Sequence, residues 1–210
     1  MKLSNLLALS LFSLSLLCSN SNAQETDKNT LNLTTQERQH NFGLVIGFAI
    51  GEYKNSTQDG DGFIQHYLFY NYRIIDNFSV EVAYNTATEF DSWQCIETGE
   101  DSFTCGSRDK LLFGLLANEM ELDSFVVAIK GQAPLSKRNS LYAKLGGQYY
   151  DYKFTRNGHF VEGEDGTGVF FEAGWQFQWG MGIGMNVGLR YQDLGELTLK
   201  SPNVGISYAF

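Results

Sequence analysis

Charged residues of opposite sign recur at spacings that would bring them together if neighbouring segments of this chain pair as antiparallel strands. Pairing about Asp76 sets Asn71 opposite Glu81, which makes Arg73 a diagonal neighbour of Glu81. A carboxylate and a guanidinium so placed can neutralise each other in a packed interior or line a path for small ions. The spacing therefore predicts an internal charge network.

A second pair of this kind occurs near the carboxy terminus. Pairing about Gly180 sets Glu172 opposite Gly188 and diagonal to Arg190. Two lysines fall on the same polar face of their own segments, so the predicted network comprises Arg73, Glu81, Lys130, Lys144, Glu172 and Arg190.

Glu52, His66 and Thr86 are the residues whose types suit catalysis. Pairing about Asp59 sets Glu52 opposite His66, and the pairing about Asp76 sets Thr86 beside His66. A histidine with a carboxylate and a hydroxyl is the general arrangement of nucleophilic catalysis. The hydroxyl belongs to a threonine without a nucleophile motif around it, so we expect no enzyme, no cofactor and no metal. A lipid A-modifying enzyme is an alternative.

Cys95 and Cys105 lie close together in a polar stretch, and a third cysteine, Cys18, lies near the amino terminus. In an exported chain an even pair of cysteines predicts a disulfide. That bond would stiffen the longest connection, 91–117. The stretch is either a ligand-contacting loop or a loop braced against proteases.

The amino terminus has the features of a secretory signal peptide. Lys2 precedes an apolar run over 6–17, and a small-residue site predicts cleavage between Ala23 and Gln24. The run is too short to span a bilayer, which needs roughly 20 apolar residues. A lipoprotein signal ending at Cys18 is the alternative, but Leu17 stands where a small residue is required.

Two regions follow the signal peptide at residues 1–23. Residues 24–41 are polar and predict a flexible periplasmic leader. Residues 42–210 contain short segments that alternate apolar with small or polar residues, which is typical of strands. Eight such segments are predicted, at about 42–53, 62–74, 78–90, 118–131, 140–154, 168–178, 181–192 and 197–210.

The alternation separates an apolar face from a polar or small one. In the first segment Phe42, Leu44 and Ile46 alternate with Gly43 and Val45. The connections alternate too, between tight turns and longer polar stretches at 54–61, 91–117 and 155–167. Short periplasmic turns and longer outer loops are typical of outer-membrane barrels. The sequence therefore predicts an all-β fold, an eight-stranded antiparallel transmembrane up-and-down β-barrel in the cell outer membrane.

A soluble β-sandwich is the main alternative fold, because its strands also alternate. Aromatic residues near the segment ends favour the membrane barrel, since such residues form girdles at the two interfaces. A barrel of eight strands has an interior about wide enough for its own side chains. We therefore expect the charge network to fill the lumen, which argues against a general porin; a narrow channel for small solutes or ions is the alternative.

Three pieces of the chain carry a family resemblance. They are YNYRIIDNFSVEVAYN (70–85), NSLYAKLGGQYYDY (139–152) and VGISYAF (204–210). They resemble the strand and turn signatures and the carboxy-terminal strand of OmpA-like small outer-membrane β-barrels. The resemblance implies that Tyr208 and Phe210 form the signal read by the outer-membrane assembly machinery. The resemblance does not extend to the large periplasmic peptidoglycan-binding domain of the longest family members, so we do not expect cell-wall tethering.

The formal net charge of −9 makes nucleic acid an unsuitable partner. The partners expected are outer-membrane lipids and lipopolysaccharide, the assembly machinery, and an extracellular ligand of the loop at 91–117. The chain is expected to be a monomer with a structural and surface-interaction role in envelope integrity, adhesion or ligand contact.

Overall fold

The structure, a computed structural model, describes residues 38–58, 60–89, 93–99, 102–107 and 111–210. The predicted signal peptide, its cleavage site between Ala23 and Gln24, and most of the predicted leader lie outside the described residues. The first strand begins at His40, two residues before the predicted boundary at 42. The end of the segment predicted as a leader therefore belongs to the barrel.

Eight strands close into an antiparallel barrel, and a separate two-stranded hairpin lies within its longest connection. The barrel order is β1, β10, β9, β8, β7, β6, β3, β2, with β2 returning to β1. The strands are β1 (His40–Tyr53), β2 (Asp61–Ile75), β3 (Phe78–Glu89), β4 (Trp93–Gly99), β5 (Ser102–Ser107), β6 (Glu119–Pro134), β7 (Asn139–Arg156), β8 (His159–Gln178), β9 (Ile183–Leu194) and β10 (Leu197–Ala209). Apart from the hairpin β4–β5, which lies between β3 and β6, every pair of barrel neighbours is consecutive in sequence or joins the two ends, so the predicted up-and-down barrel is confirmed.

The outside of the barrel is an apolar belt. Along β1, Phe42, Phe48 and Ile50 are about half exposed, whereas Val45 and Ala49 between them are buried. The other barrel strands alternate in the same way, with large exposed apolar side chains outside and the buried charged and amide side chains inside. A soluble sandwich buries its apolar faces between two sheets. An apolar exterior around a polar interior excludes that alternative.

The β7–β8 connection is shorter than predicted. Residues 155–167 were expected to form a loop, but β7 and β8 continue to a two-residue turn at Asn157 and Gly158. Both turn residues have positive φ, 51° and 76°. An Asn-Gly pair is the preferred sequence for such a turn, so this signal was present in the chain. β8 is therefore 20 residues long and extends beyond the apolar belt.

Two predicted registers are wrong because their turns lie elsewhere. The β8–β9 turn spans Trp179 to Ile183, with Gly182 at φ 101°, so Glu172 pairs directly with Arg190 rather than with Gly188. Glu172 and Arg190 therefore form a closer ion pair than the predicted diagonal contact would give.

In the first hairpin the chain reverses at Lys54 and Asn55, both with positive φ, and not at Asp59. His66 consequently pairs with Ile46. The predicted pairing about Asp76 is confirmed, since Asn71 faces Glu81.

The connection between β3 and β6 contains the hairpin β4–β5 and then a 3₁₀ turn, Leu112–Gly114. Phe113 in that turn has φ 50° and a buried side chain. Within the described ranges no helix is long and apolar enough to cross a membrane.

Candidate functional site

The middle of the lumen holds a buried ion cluster built from four strands. Lys144 Nζ lies 2.9 Å from Glu81 Oε1 and 3.0 Å from Glu172 Oε1. Arg190 Nη2 lies 2.6 Å from Glu172 Oε2. All four side chains are at most 2% exposed. Strand alternation points each of them inward, and the charges alternate in sign across the lumen.

Neutral side chains complete this ion cluster. The Tyr67 hydroxyl donates to Glu81 Oε1 at 2.5 Å, and the Tyr142 hydroxyl donates to Glu172 Oε1 at 3.0 Å. The Arg190 guanidinium stacks over the Tyr67 ring, 3.8 Å from its centroid. Buried ions cost several kcal/mol each unless they are paired and hydrogen-bonded. These contacts reduce that cost and fix the side chains in place.

Arg73 and Lys130, the other two residues of the predicted network, lie outside the ion cluster. Arg73 was expected beside Glu81, but the cation that reaches Glu81 is Lys144. The β6 residue level with Glu81 is Ala128, whose small side chain leaves room for the lysine from β7. Lys130 instead donates to Gln176 Oε1 at 2.7 Å. Both residues line the lumen mouth on the side of the short turns.

A layer of amides lies on the loop side of the ion cluster. Gln65 Nε2 donates to Gln192 Oε1 at 2.6 Å, and Gln192 Nε2 donates to Gln148 Oε1 at 2.8 Å. The Ser201 hydroxyl donates to Gln65 Oε1 at 2.7 Å. Sequence reasoning missed this layer, although all four residues lie on the polar face of alternating strands. Their hydrogen bonds link β2, β7, β9 and β10 across the lumen.

An apolar plug closes the lumen on the loop side. The ring of Phe154 lies 5.0 Å from that of Tyr53 and 5.8 Å from that of Phe113, measured between centroids. Phe113 reaches this position from the long connection, where the 3₁₀ turn folds over the barrel end. The plug comprises Tyr53, Phe63, Leu112, Phe113, Met120, Leu122, Tyr152, Phe154, Leu194, Leu197 and Leu199. The apolar run LLFGLLA at 111–117 was the signal for it.

Lys54, in the β1–β2 turn, forms ion pairs with a residue of β8 and with a residue of the β9–β10 turn. Lys54 Nζ lies 2.6 Å from Glu162 Oε1 and 3.2 Å from Glu196 Oε2. The Lys54 ammonium lowers the pKa of the Glu162 carboxyl, and Glu162 raises the pKa of Lys54. The depressed carboxyl pKa means that this contact stabilises the fold at neutral pH and is lost in acid. Both groups are partly exposed, so its effect is small.

The residues considered for catalysis do not come together. His66 and Thr86 are cross-strand partners, as predicted. Glu52 instead pairs with Thr198, and its carboxylate lies 3.7 Å from Lys200 Nζ. The shift follows from the turn at Lys54 and Asn55. The predicted grouping of Glu52 with His66 and Thr86 is therefore not formed.

Cys95 and Cys105 are direct partners in the β4–β5 ladder. Opposed residues of an antiparallel pair lie about 4.5–5.5 Å apart at Cα, which is within the range that a disulfide spans. The disulfide remains a prediction.

Trypsin should release both cysteines in one peptide, 74–108. We expect no alkylation of that peptide by iodoacetamide before reduction and two modifications after it. Alkylation of the unreduced, unfolded protein would show free thiols.

The carboxy-terminal residues close the barrel against its first strand. The Phe210 amide donates to the His40 carbonyl oxygen at 2.9 Å, and the two rings stack with centroids 5.4 Å apart. Tyr208 points outward, with its ring 6.1 Å from that of Phe210. Their role in assembly remains a prediction.

Within the described part of the chain, no three His, Cys, Asp or Glu side chains are arranged to hold a metal ion.

A closed antiparallel barrel with an apolar belt, a polar lumen and turns of unequal length defines an integral outer-membrane β-barrel protein. The chain belongs to the family described as outer membrane protein beta-barrel domain, whose model matches residues 9–210. No curated protein sequence matches it.

Solved structures of the same fold include bacterial outer-membrane barrels. Ail, the attachment invasion locus protein of Yersinia pestis, is 18% identical with a TM-score of 0.50, covering 82% of this chain and 99% of its own. Neisserial surface protein A is 11% identical with a TM-score of 0.60, covering 81% and 97%. The amino-terminal barrel domain of OprF from Pseudomonas aeruginosa is 9% identical with a TM-score of 0.52, covering 82% and 98%. At these identities the similarity establishes the fold alone.

Proposed function

We propose that this protein is a closed barrel that contributes to envelope structure and acts through its extracellular surface, by adhesion or ligand contact, without enzymatic or general porin activity. The observation that carries the proposal is the filling of the lumen. Buried side chains occupy it at three successive levels, as the ion cluster, the amide layer and the apolar plug. A barrel filled in this way supplies an anchor, which leaves the loop side as the surface that meets partners.

The loop side offers the surface that such a role requires. β7 and β8 extend past the apolar belt, and the β4–β5 hairpin lies in the longest connection. Outer loops of this class face the exterior and the lipopolysaccharide leaflet. Ail, a solved structure of the same fold, is named for attachment, which is one kind of surface function.

Electrical recordings in planar bilayers distinguish the closed barrel from the channel alternative. We expect the purified protein to give no discrete conductance steps in planar bilayers, because an ion would have to displace paired charges and the apolar plug. Insertion is verified independently by a mobility shift between boiled and unboiled samples. Steps that change in size in Glu81→Gln or Arg190→Ala would establish a lumenal path and overturn the proposal.

Loop deletion tests the surface role. Removing 93–107 and joining the ends with a Gly-Ser linker deletes the hairpin but keeps Leu112 and Phe113 in the plug. We expect unchanged insertion and heat modifiability, together with loss of the adhesion that the intact protein confers on a heterologous Gram-negative host. Cultured animal cells and immobilised matrix proteins serve as the surfaces. An intact protein that confers no adhesion above the empty vector, or a deletion that retains it fully, contradicts the role assigned to this loop.

A further inference from the structure

Cationic side chains outnumber carboxylates in the half of the lumen nearest the short turns. Glu81 and Glu172 are occupied by Lys144 and Arg190 in the ion cluster. The cleft at the turn-side mouth is lined by Arg38, Arg73 and Lys130, and its described lining includes no carboxylate. This excess of positive charge stands in a chain whose formal net charge is −9.

Lys130 is buried and forms no ion pair with any residue in the described ranges. It is 4% exposed, and its direct cross-strand partner is Lys144, a residue of the same charge. Lys130 Nζ donates one hydrogen bond to the neutral Gln176 and lies 4.9 Å from the centroid of the Tyr142 ring. An ammonium group has three donors, so this one retains capacity for a further acceptor. A buried ammonium in such surroundings is costly unless an anion joins it.

Asn71 supplies a second, independent observation. Its side chain lines the same cleft and is 4% exposed, yet neither Nδ2 nor Oδ1 has a hydrogen-bond partner. Buried amides almost always have partners, so this one has unused donor and acceptor capacity for a group that enters the cleft.

Arg73 flanks the same cleft, and across the described residues neither Arg73 nor Lys130 forms an ion pair. Asp76, in the nearby turn, borders a separate depression with Arg73 without pairing to it.

We propose that this turn-side mouth is a binding site for a small oxyanion, a phosphate or carboxylate group, held between Arg73, Lys130 and Asn71. The guanidinium fork, the ammonium and the amide Nδ2 are all donors, and charge-assisted hydrogen bonds to an oxyanion are the strongest that such groups make. Arg38 borders the site, where its Nη2 already donates to the Gly180 carbonyl oxygen at 2.9 Å. The site faces the periplasm, the side on which short turns lie.

The test uses the full mature protein refolded in detergent, with unfolding temperature read from the loss of the heat-modifiable band. Chloride is replaced by inorganic phosphate, and in a separate series by acetate, at constant ionic strength. A ligand that binds only the folded state raises the unfolding temperature saturably. We expect such a rise, and the anion with the lower half-saturation concentration identifies the geometry that the site prefers.

Three variants decide the assignment. Arg73→Gln should weaken the apparent affinity by roughly tenfold or more. Arg138→Gln removes the same charge from the exposed β6–β7 turn on the same side and should leave the affinity unchanged. Lys130→Gln removes the ammonium donor from the site, so we expect it likewise to weaken the apparent affinity by roughly tenfold or more. Equal responses of Arg73→Gln and Arg138→Gln, a response that does not saturate, or an unchanged affinity in Lys130→Gln would overturn the proposal.

Discussion

Replacement of Lys144 by methionine is expected to lower the free energy of unfolding by about 3–5 kcal/mol, the range for removing one partner of a buried ion pair. Lys144 is the cation that Glu81 contacts, and it also contacts Glu172. Methionine has a similar length and stays apolar, so little packing volume is lost. Glu172 keeps Arg190, whereas among the described residues Glu81 keeps the Tyr67 hydroxyl alone. The cost therefore arises mainly from a carboxylate left buried without a counter-charge.

The measurement is reversible urea unfolding in detergent or lipid vesicles, followed by tryptophan fluorescence and gel mobility. Lys153→Met is the matched control, because Lys153 lies on the same strand and pairs with Glu121 at 2.7 Å on the exposed outside. An exposed pair contributes about 0–1 kcal/mol.

Adding Glu81→Gln to Lys144→Met should recover much of the loss, since the uncompensated charge is then gone. Equal effects of Lys144→Met and Lys153→Met would show that the ion cluster is not a buried charge network.

The sequence was sufficient to predict strands and faces, because alternation is a local property of each segment. The inward positions of Glu81, Lys144, Glu172 and Arg190 follow from it directly. Which of them touch depends on register, and register depends on the turn. At Asp76 the tight turn was located correctly, and the pairing of Asn71 with Glu81 followed. At Gly180 the turn centre was misplaced, and the pairing of Glu172 with Arg190 was missed.

The plug was not predicted for a different reason: the apolar run at 111–117 is visible in the sequence, but where it packs is not. Its residues come from strand ends and from the 3₁₀ turn at Leu112–Gly114, which are far apart in sequence. Alternation predicts that Tyr53 and Phe154 face inward, but not that Phe113 folds back against them. The left-handed backbone at Phe113, which allows this, has no residue signature, since glycine or asparagine is usual there. Long-range packing of this kind is visible only in the folded chain.

Phe154→Ala should produce the second large effect, a loss of about 3–5 kcal/mol in unfolding free energy, as is usual when a buried phenylalanine is truncated. Phe154 is fully buried and contacts the rings of Tyr53, Phe113 and Tyr152. The control is Phe160→Ala, on the same hairpin but 68% exposed, where we expect less than about 0.5 kcal/mol. A loss below about 1 kcal/mol for Phe154→Ala would mean that the apolar plug is not part of the cooperative fold.

Phe154→Ala also tests which part of the lumen excludes ions: the apolar plug, or the amide layer and ion cluster beneath it. Loosening the apolar plug leaves the amide layer and the ion cluster intact, since none of their hydrogen bonds involves a plug residue. Phe154→Ala should therefore be less stable and yet remain without conductance in planar bilayers. Discrete steps in this variant alone would identify the plug as the sole barrier to ions. In that case the lumen beneath it would be a gated path, and the ion cluster would line that path rather than close it.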